Sequence, residues 1–235
     1  LLHHEVAAVN LFNFSDITCV PSITLNDSAI AQCAATHLIE QGAKSLTFIS
    51  QDGAYFNRIR RKSFKISCPP NSYREVEPME PRRLQVKMLT TMQGPIGILC
   101  SNDRVAREIC IEGRLVGLEA GKDLLIMGIG NDPAESTFAG VAMSSFEIPA
   151  REIGKRAAKT LEKQLAESCG VSALGTDMVE AQLISRESTL SSTQARLAER
   201  VVAAIDESLG LAEFDIAALA RRLGLSRRSL EIVTR

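Results

Sequence analysis

The chain has 235 residues, 45% of them hydrophobic and 4% aromatic, with no tryptophan and a formal net charge of −1. That is enough sequence for one large globular domain and a small one. No apolar run approaches bilayer length and no basic-then-apolar leader opens the chain, which excludes an exported or membrane-embedded protein, and the near-neutral total gives no global case for nucleic acid.

Taken in order, VAAVN (6–10), TCVPSIT (18–24), SLTFIS (45–50), IGILC (96–100), LLIMGIG (124–130) and VAMSS (141–145) are predicted strands. Helical spacing is predicted over Asp27–Glu40, 82–92 and 103–116, then over Ala150–Ala166, followed by a strand MVEAQLI (178–184). The first helix opens at an N-cap candidate, Asp27, and stops at Gly42. Strand and helix alternating in this way predict an α/β fold with a parallel sheet covered on both faces, binding ligands at the carboxyl ends of its strands.

After that the texture changes. SRESTLSSTQ (185–194) is polar and reads as a linker, with a domain boundary near Ser188. Helices are expected over 195–209 and 215–223, and a third after Ser226, which makes the end of the chain a small all-α unit. Its charge is local: Arg221, Arg222, Arg227, Arg228 and Arg235 stand against Asp215 and Glu231.

Six cysteines (Cys19, Cys33, Cys68, Cys100, Cys110, Cys169) are scattered without a CxxC pair. The pattern predicts buried free thiols and a reducing cytoplasm. His3, His4 and His37 lie far from any such pair, so no metal is assigned, and no cofactor motif is present. GIGNDPA lacks the third glycine of a dinucleotide fingerprint, there is no GxxxxGK[ST], and no catalytic pairing can be built, which disfavours a nucleotide-dependent enzyme on the same kind of sheet.

In IAALARRLGLSRRSL (216–230), Ala220 supplies a small residue for a close helix contact, Gly224 a turn residue and Ser226 an N-cap. Leu219, Leu223, Leu225, Leu230 and Val233 can share one apolar face. Arg227, Arg228, Glu231 and Arg235 are left on the outer surface of the last helix, where arginines reach phosphates or guanine edges. The alternative is a solvated helical hairpin. LARRLGLSRRSLE (219–231) resembles the first helix-turn-helix of the arabinose-regulator (AraC-type) family, matching at Leu219, Ala220, Gly224, Ser226, Arg228 and Leu230 and departing at Ile232 and Thr234. The resemblance implies a DNA-binding unit over 195–235, with Ser226, Arg227, Arg228, Glu231 and Arg235 at the DNA. The second helix-turn-helix of that family is missing.

GILCSNDRVAREICIEGRLVGLEAGKDLLIMGIGNDP (97–133) and VAMSSFEIPAREIGKRAAKTL (141–161) resemble the ligand domain of lactose-repressor-type regulators and periplasmic binding proteins, a likeness covering roughly 6–185. A ligand domain followed by an AraC-type reader is the order of the xylose-operon-regulator type. The resemblance implies an effector domain over 1–187, a linker over 188–194, a small polar effector such as a sugar or sugar derivative, and a homodimer. The chain begins with Leu1, and a fragment lacking the start of the first lobe is expected.

Carried over position by position, the effector residues implied are Asp27, Arg60, Asn102, Asp103, Asn131 and Asp132. Asp27 has the alternative of a plain N-cap, and Arg60, in the basic run RIRRKSFK (58–65), that of facing solvent. Asn102 is expected to touch ligand while Asp103 caps the helix. The family's sugar-binding aspartate falls at Gly130, beside Asn131 and Asp132. Restoring a carboxylate there, or using Asp132 after a backbone shift, is the expected route to sugar binding. A solute-binding transport receptor is the alternative that shares this domain.

Overall fold

The computed structural model describes residues 6–17, 19–77, 82–166, 175–190, 201–202, 204–205 and 216–223. Strands and helices follow one another as β1 (Asn10–Leu11), β2 (Ser22–Leu25), α1 (Asp27–Glu40), β3 (Ser45–Ile49), α2 (Tyr55–Ser67), α3 (Arg83–Leu89), β4 (Ile96–Cys100) and α4 (Asp103–Leu115). Then come β5 (Leu124–Gly130), α5 (Pro133–Ala139), β6 (Ser144–Glu147), α6 (Ala150–Ala166), β7 (Thr176–Val179) and β8 (Gln182–Ile184). A further helix, α7 (Ile216–Leu223), belongs to a second unit: the chain divides into Leu1–Thr189 and Leu190–Arg235.

In the large unit, β3, β4, β5 and β6 run parallel, and β8 closes the edge antiparallel to β6. A smaller parallel sheet has the order β1-β2-β7. The chain passes from the small sheet to the large one after β2, returns after β6, and passes over again between β7 and β8. The single strand expected over 178–184 is therefore two strands in two sheets, parted at Glu180 and Ala181. That division reflects the small-sheet pairing of Val179 with Leu25 and the large-sheet pairing of Gln182 with Glu147.

Buried apolar residues on both faces explain why β4 and β5 read as unbroken hydrophobic runs. Leu99, Leu125, Met127 and Ile129 pack with Ile30, Ala31, Ala34, Ala35 and Leu38 of α1 on one face. Ile96, Ile98, Cys100, Leu124 and Ile126 pack with Val105, Ala106, Ile109 and Cys110 of α4 on the other. The alanines let α1 lie close, and Gly97 completes the approach: a Cβ there would stand 2.8 Å from the Leu46 side chain and 3.1 Å from the Leu38 Cβ.

Two helices differ from expectation. α2 was hidden in a run that looks solvated, because its buried face is Asn57, Arg60 and Phe64, two of them polar. α5 is a single short helix started by Pro133. The thiols also divide: Cys100 and Cys110 are buried, whereas Cys19 and Cys33 are exposed, and all four are free.

In the second unit, residues 201–202 and 204–205 are helical, and Val201, Ala204 and Leu219 form a small buried cluster with Ile205 and Leu223 against it. Gly224, Ser226, Arg227, Arg228, Glu231 and Arg235 lie outside the described residues. No helix among the described residues is long and apolar enough to cross a membrane.

Candidate functional site

Three strands of the large unit are followed by the dipeptide Asn-Asp: Asn26-Asp27 after β2, Asn102-Asp103 after β4 and Asn131-Asp132 after β5. At the first two, the asparagine is the cap. Asn26 Oδ1 accepts from the Ala29 amide (3.1 Å) and Asn102 Oδ1 from the Val105 amide (2.9 Å). Asn102, not Asp103, therefore caps α4, and Asp27 is likewise not the cap of α1. Each aspartate stands at the first helical position, where the helix N-terminus favours its charge, and each is buried. At the third the register slips by one. Asn131 takes a left-handed φ of 55°, and Asp132 becomes the cap of α5, accepting from the Ala134 amide at 2.8 Å.

Arg60 reaches Asp27 from the second turn of α2. Its Nε donates to Asp27 Oδ1 at 2.7 Å, its Nη1 donates to the Ser101 carbonyl at 3.0 Å, and its guanidinium lies over the Phe56 ring at 4.7 Å. Both side chains are nearly sealed, with residue exposures of 5% and 4%, so the solvent-facing alternative for Arg60 does not hold. Burial pushes the Asp27 carboxyl above its usual value and the Arg60 guanidinium below its own, and their mutual attraction opposes both shifts.

Among the described residues, Asp103 is held without a cation. Ser145 Oγ donates to its Oδ1 at 2.6 Å, and the Asp132 amide donates to its Oδ2 at 2.7 Å. Burial raises its pKa; these two hydrogen bonds oppose the rise, and the nearby Asp132 and Glu135 add to it. The carboxylate rests on β5 at two glycines. A Cβ on Gly128 would stand 2.0 Å from Asp103 Oδ1, and one on Gly130 would stand 3.0 Å from Oδ2. Gly130 also has φ +137°, a conformation that L side chains rarely adopt. The position is therefore occupied already, by the carboxylate of Asp103, and an aspartate at 130 would bring strain and a second negative charge against the first. Restoring sugar binding through Gly130→Asp is incompatible with this geometry.

Ser145 and Arg186, which sequence reasoning did not single out, tie the third dipeptide to the sheet. The Asn131 amide donates to Ser145 Oγ (3.0 Å); Arg186 Nη2 donates to Asn131 Oδ1 (2.7 Å) and Nη1 to the Met143 carbonyl (2.6 Å). A cavity of about 660 Å3 opens beside them, lined among others by Asp103, Asn131, Asp132, Ser145, Arg186 and Glu187. All six expected effector residues thus lie along one edge of the fold. Asp27, Arg60, the 101–103 turn, Asp132 and Asn131 are linked through Ser101 and Ser145. Within this row, the hydroxyl oxygen of Ser101 is buried and has no hydrogen-bond partner among the described residues. No group of three metal-ligating side chains occurs among the described residues.

A family model described as a periplasmic binding protein-like domain matches residues 35–189. The chain belongs to the periplasmic binding protein-like family. No curated protein sequence matches it. Among solved structures, the periplasmic binding protein-like fold recurs in the xylose-binding transcription activator XylR, at 22% identity and a TM-score of 0.65, covering 95% of this chain and 63% of that one. A LacI family transcriptional regulator from Enterococcus faecalis V583 with bound ribose is similar at 19% identity and a TM-score of 0.66, over 77% of this chain and 68% of that one. A periplasmic binding protein/LacI transcriptional regulator from Alkaliphilus metalliredigens QYMF, complexed with D-xylulofuranose, follows at 18% identity and 0.63, over 78% and 70%. At these identities the likeness is one of fold.

Proposed function

We propose that this protein is a ligand-responsive transcription regulator of the xylose-operon-regulator type and not an enzyme. Its periplasmic binding protein-like unit takes a small polar effector, a sugar or sugar derivative, along the row of Asp27, Arg60, Asn102, Asp103, Asn131 and Asp132. The observation that carries this reading is the buried, unpartnered hydroxyl of Ser101 inside that row. A buried polar atom costs free energy until something pairs with it, and a ligand hydroxyl is the matching chemistry. Arg60 and Asp27 hold the turn that presents it.

The C-terminal unit, 195–235, is proposed as an AraC-type helix-turn-helix that reads DNA through Ser226, Arg227, Arg228, Glu231 and Arg235, working as a homodimer in the cytoplasm. Support comes from the spacing of its sequence, from the buried Leu219 and Ala220 of α7, and from a likeness to XylR that extends over 95% of the chain, more than the large unit alone supplies. XylR is a xylose-binding activator, and the regulators from E. faecalis and A. metalliredigens carry ribose and D-xylulofuranose. These sugars head the panel to be tried.

The test has two arms. Thermal shift of the chain with D-xylose, D-ribose, D-xylulose, their acids and their polyols should single out one compound, with stabilisation of about 2.7 kcal/mol at a hundredfold excess over its Kd. Asn102→Ala should abolish that shift. DNA binding followed against salt should lose slope by roughly 0.9 for each phosphate contact removed in Arg227→Ala/Arg228→Ala. A panel without any stabilising compound overturns the effector site, and an unchanged salt slope overturns the DNA assignment.

A further inference from the structure

We propose that a second small-molecule site lies on the outer flank of α2 and takes a phosphorylated sugar or polyol. A cavity of about 420 Å3 opens there, a volume common for small-ligand sites, and none of the six residues of the effector row lines it. Its wall is the helix face carrying Arg58, Arg61, Lys62 and Lys65, whose spacings of three and four residues bring them together.

The four cations are not equally satisfied. Glu75 accepts from Arg61 Nη1 at 3.0 Å and from Lys65 Nζ at 3.5 Å, and Arg61 Nη2 also donates to Ser50 Oγ at 3.1 Å. Arg58 lies over the Tyr55 ring at 5.2 Å. Among the described residues, neither Arg58 nor Lys62 has a carboxylate partner, although they stand one helical turn apart. Like charges at that spacing repel. Of the acids that border the cavity, Asp52 is occupied by the Ala54 amide and Asn57 Nδ2, at 3.1 and 2.8 Å, and Glu75 by its two cations, which leaves Glu77 at the rim. An anion between Arg58 and Lys62 relieves their repulsion, and a phosphate ester offers both of them acceptor oxygens.

A second observation points to the rest of the ligand. Asn57 lines the same cavity and is 4% exposed; its Nδ2 is committed to Asp52, while its Oδ1 is buried with no partner among the described residues. That oxygen requires a donor, which a hydroxyl supplies. Asn57 and Lys62 are separated by about 7.5 Å of helical rise, a span that a hydroxyl at one end of a pentose phosphate and the phosphate at its other end can bridge.

The experiment is calorimetry on the whole chain at low salt with D-ribose 5-phosphate, D-ribose and inorganic phosphate. Ribose 5-phosphate is expected to bind about tenfold or more tightly than either of its halves. Arg58→Gln/Lys62→Gln, which alters only exposed side chains, should weaken it about tenfold without lowering the thermal midpoint of the free protein. Asn102→Ala should leave it unchanged. No binding of ribose 5-phosphate, or binding indifferent to the double substitution, overturns the proposal. Equal binding of inorganic phosphate reduces the site to an adventitious ion and overturns it as well, and loss in Asn102→Ala would assign the ligand to the effector row instead.

Discussion

The starts of α1 and α4 are built from the same two residues, a capping asparagine and a buried aspartate, yet the two carboxylates are stabilised by different physics. Asp27 faces the guanidinium of Arg60, whereas Asp103 faces a hydroxyl and a backbone amide. An ion pair out of water is held by mutual attraction, so each partner depends on the other being charged. A carboxylate held by neutral donors depends on no partner's charge, although losing a donor still leaves its own charge less compensated; it also needs room, and Gly128 and Gly130 provide it. A repeated dipeptide therefore supplies the cap twice, while the environment of the second residue decides what it can do.

The largest effect is expected from breaking the ion pair. Arg60→Met leaves Asp27 charged and sealed, and urea unfolding should show a loss of about 3–5 kcal/mol. Adding Asp27→Asn should recover much of it; a cost below about 1 kcal/mol for the single change would mean that the two carboxylates are held alike. Next is Gly128→Ala, whose new methyl must displace the Asp103 carboxylate. About 1–3 kcal/mol should be lost in the same assay, and the Asp132 amide should become faster to exchange as its acceptor moves. A loss within error would show that α4 can shift freely.

The caps come third. Asn26→Ala and Asn102→Ala should each cost about 1 kcal/mol by urea unfolding, with only the second affecting the effector response. A much larger cost at one helix would mean that its asparagine has a role besides capping. The smallest effect concerns pH. Burial raises the Asp103 pKa in the folded state, so the folded protein keeps this proton to higher pH than the unfolded chain does. Its contribution to stability is therefore greatest below the ordinary value of 3.8 and is lost as pH climbs through the raised one. Asp27 acts with the same sign. Stability curves against pH should decline less steeply in Asp103→Asn over that interval, and an identical decline would remove Asp103 from the account.

The boundaries of α1, α6, β4 and β5 were legible because each combines strong periodicity or an unbroken apolar run with a clear end, such as Gly42 after α1. That positions 27, 60, 102, 103, 131 and 132 share one hydrogen-bonded row was in keeping with the resemblance, but which of them cap helices was not legible. Whether Asn102 or Asp103 is the cap turns on one residue of register, which a strand-to-helix junction does not reveal in composition. α2 was obscured because a buried arginine looks like a solvated one until its partner, 33 positions earlier, is known. Ser145 and Arg186 carry no local signal at all. Their importance comes from the pairing of β8 with β6, which brings Ile184 opposite Ser145 and leaves Arg186 within reach of Asn131.

The turn that closes the large unit bears on where the chain can be cut. Ser188 was expected to begin a linker, yet Ser188 and Thr189 are fully buried. Ser188 accepts from the Ile126 amide through its carbonyl, donates its hydroxyl to the Ile126 carbonyl, accepts from the Ser144 amide and donates its own amide to Ala142. Thr189 Oγ1 joins Ser144 Oγ at 2.6 Å and His37 Nε2 at 2.8 Å. A truncation that stops at Ile184, where the last strand ends, would strip partners from two neighbouring strands and from α1 at once. Expression of the large unit by itself calls for a stop codon placed beyond Thr189.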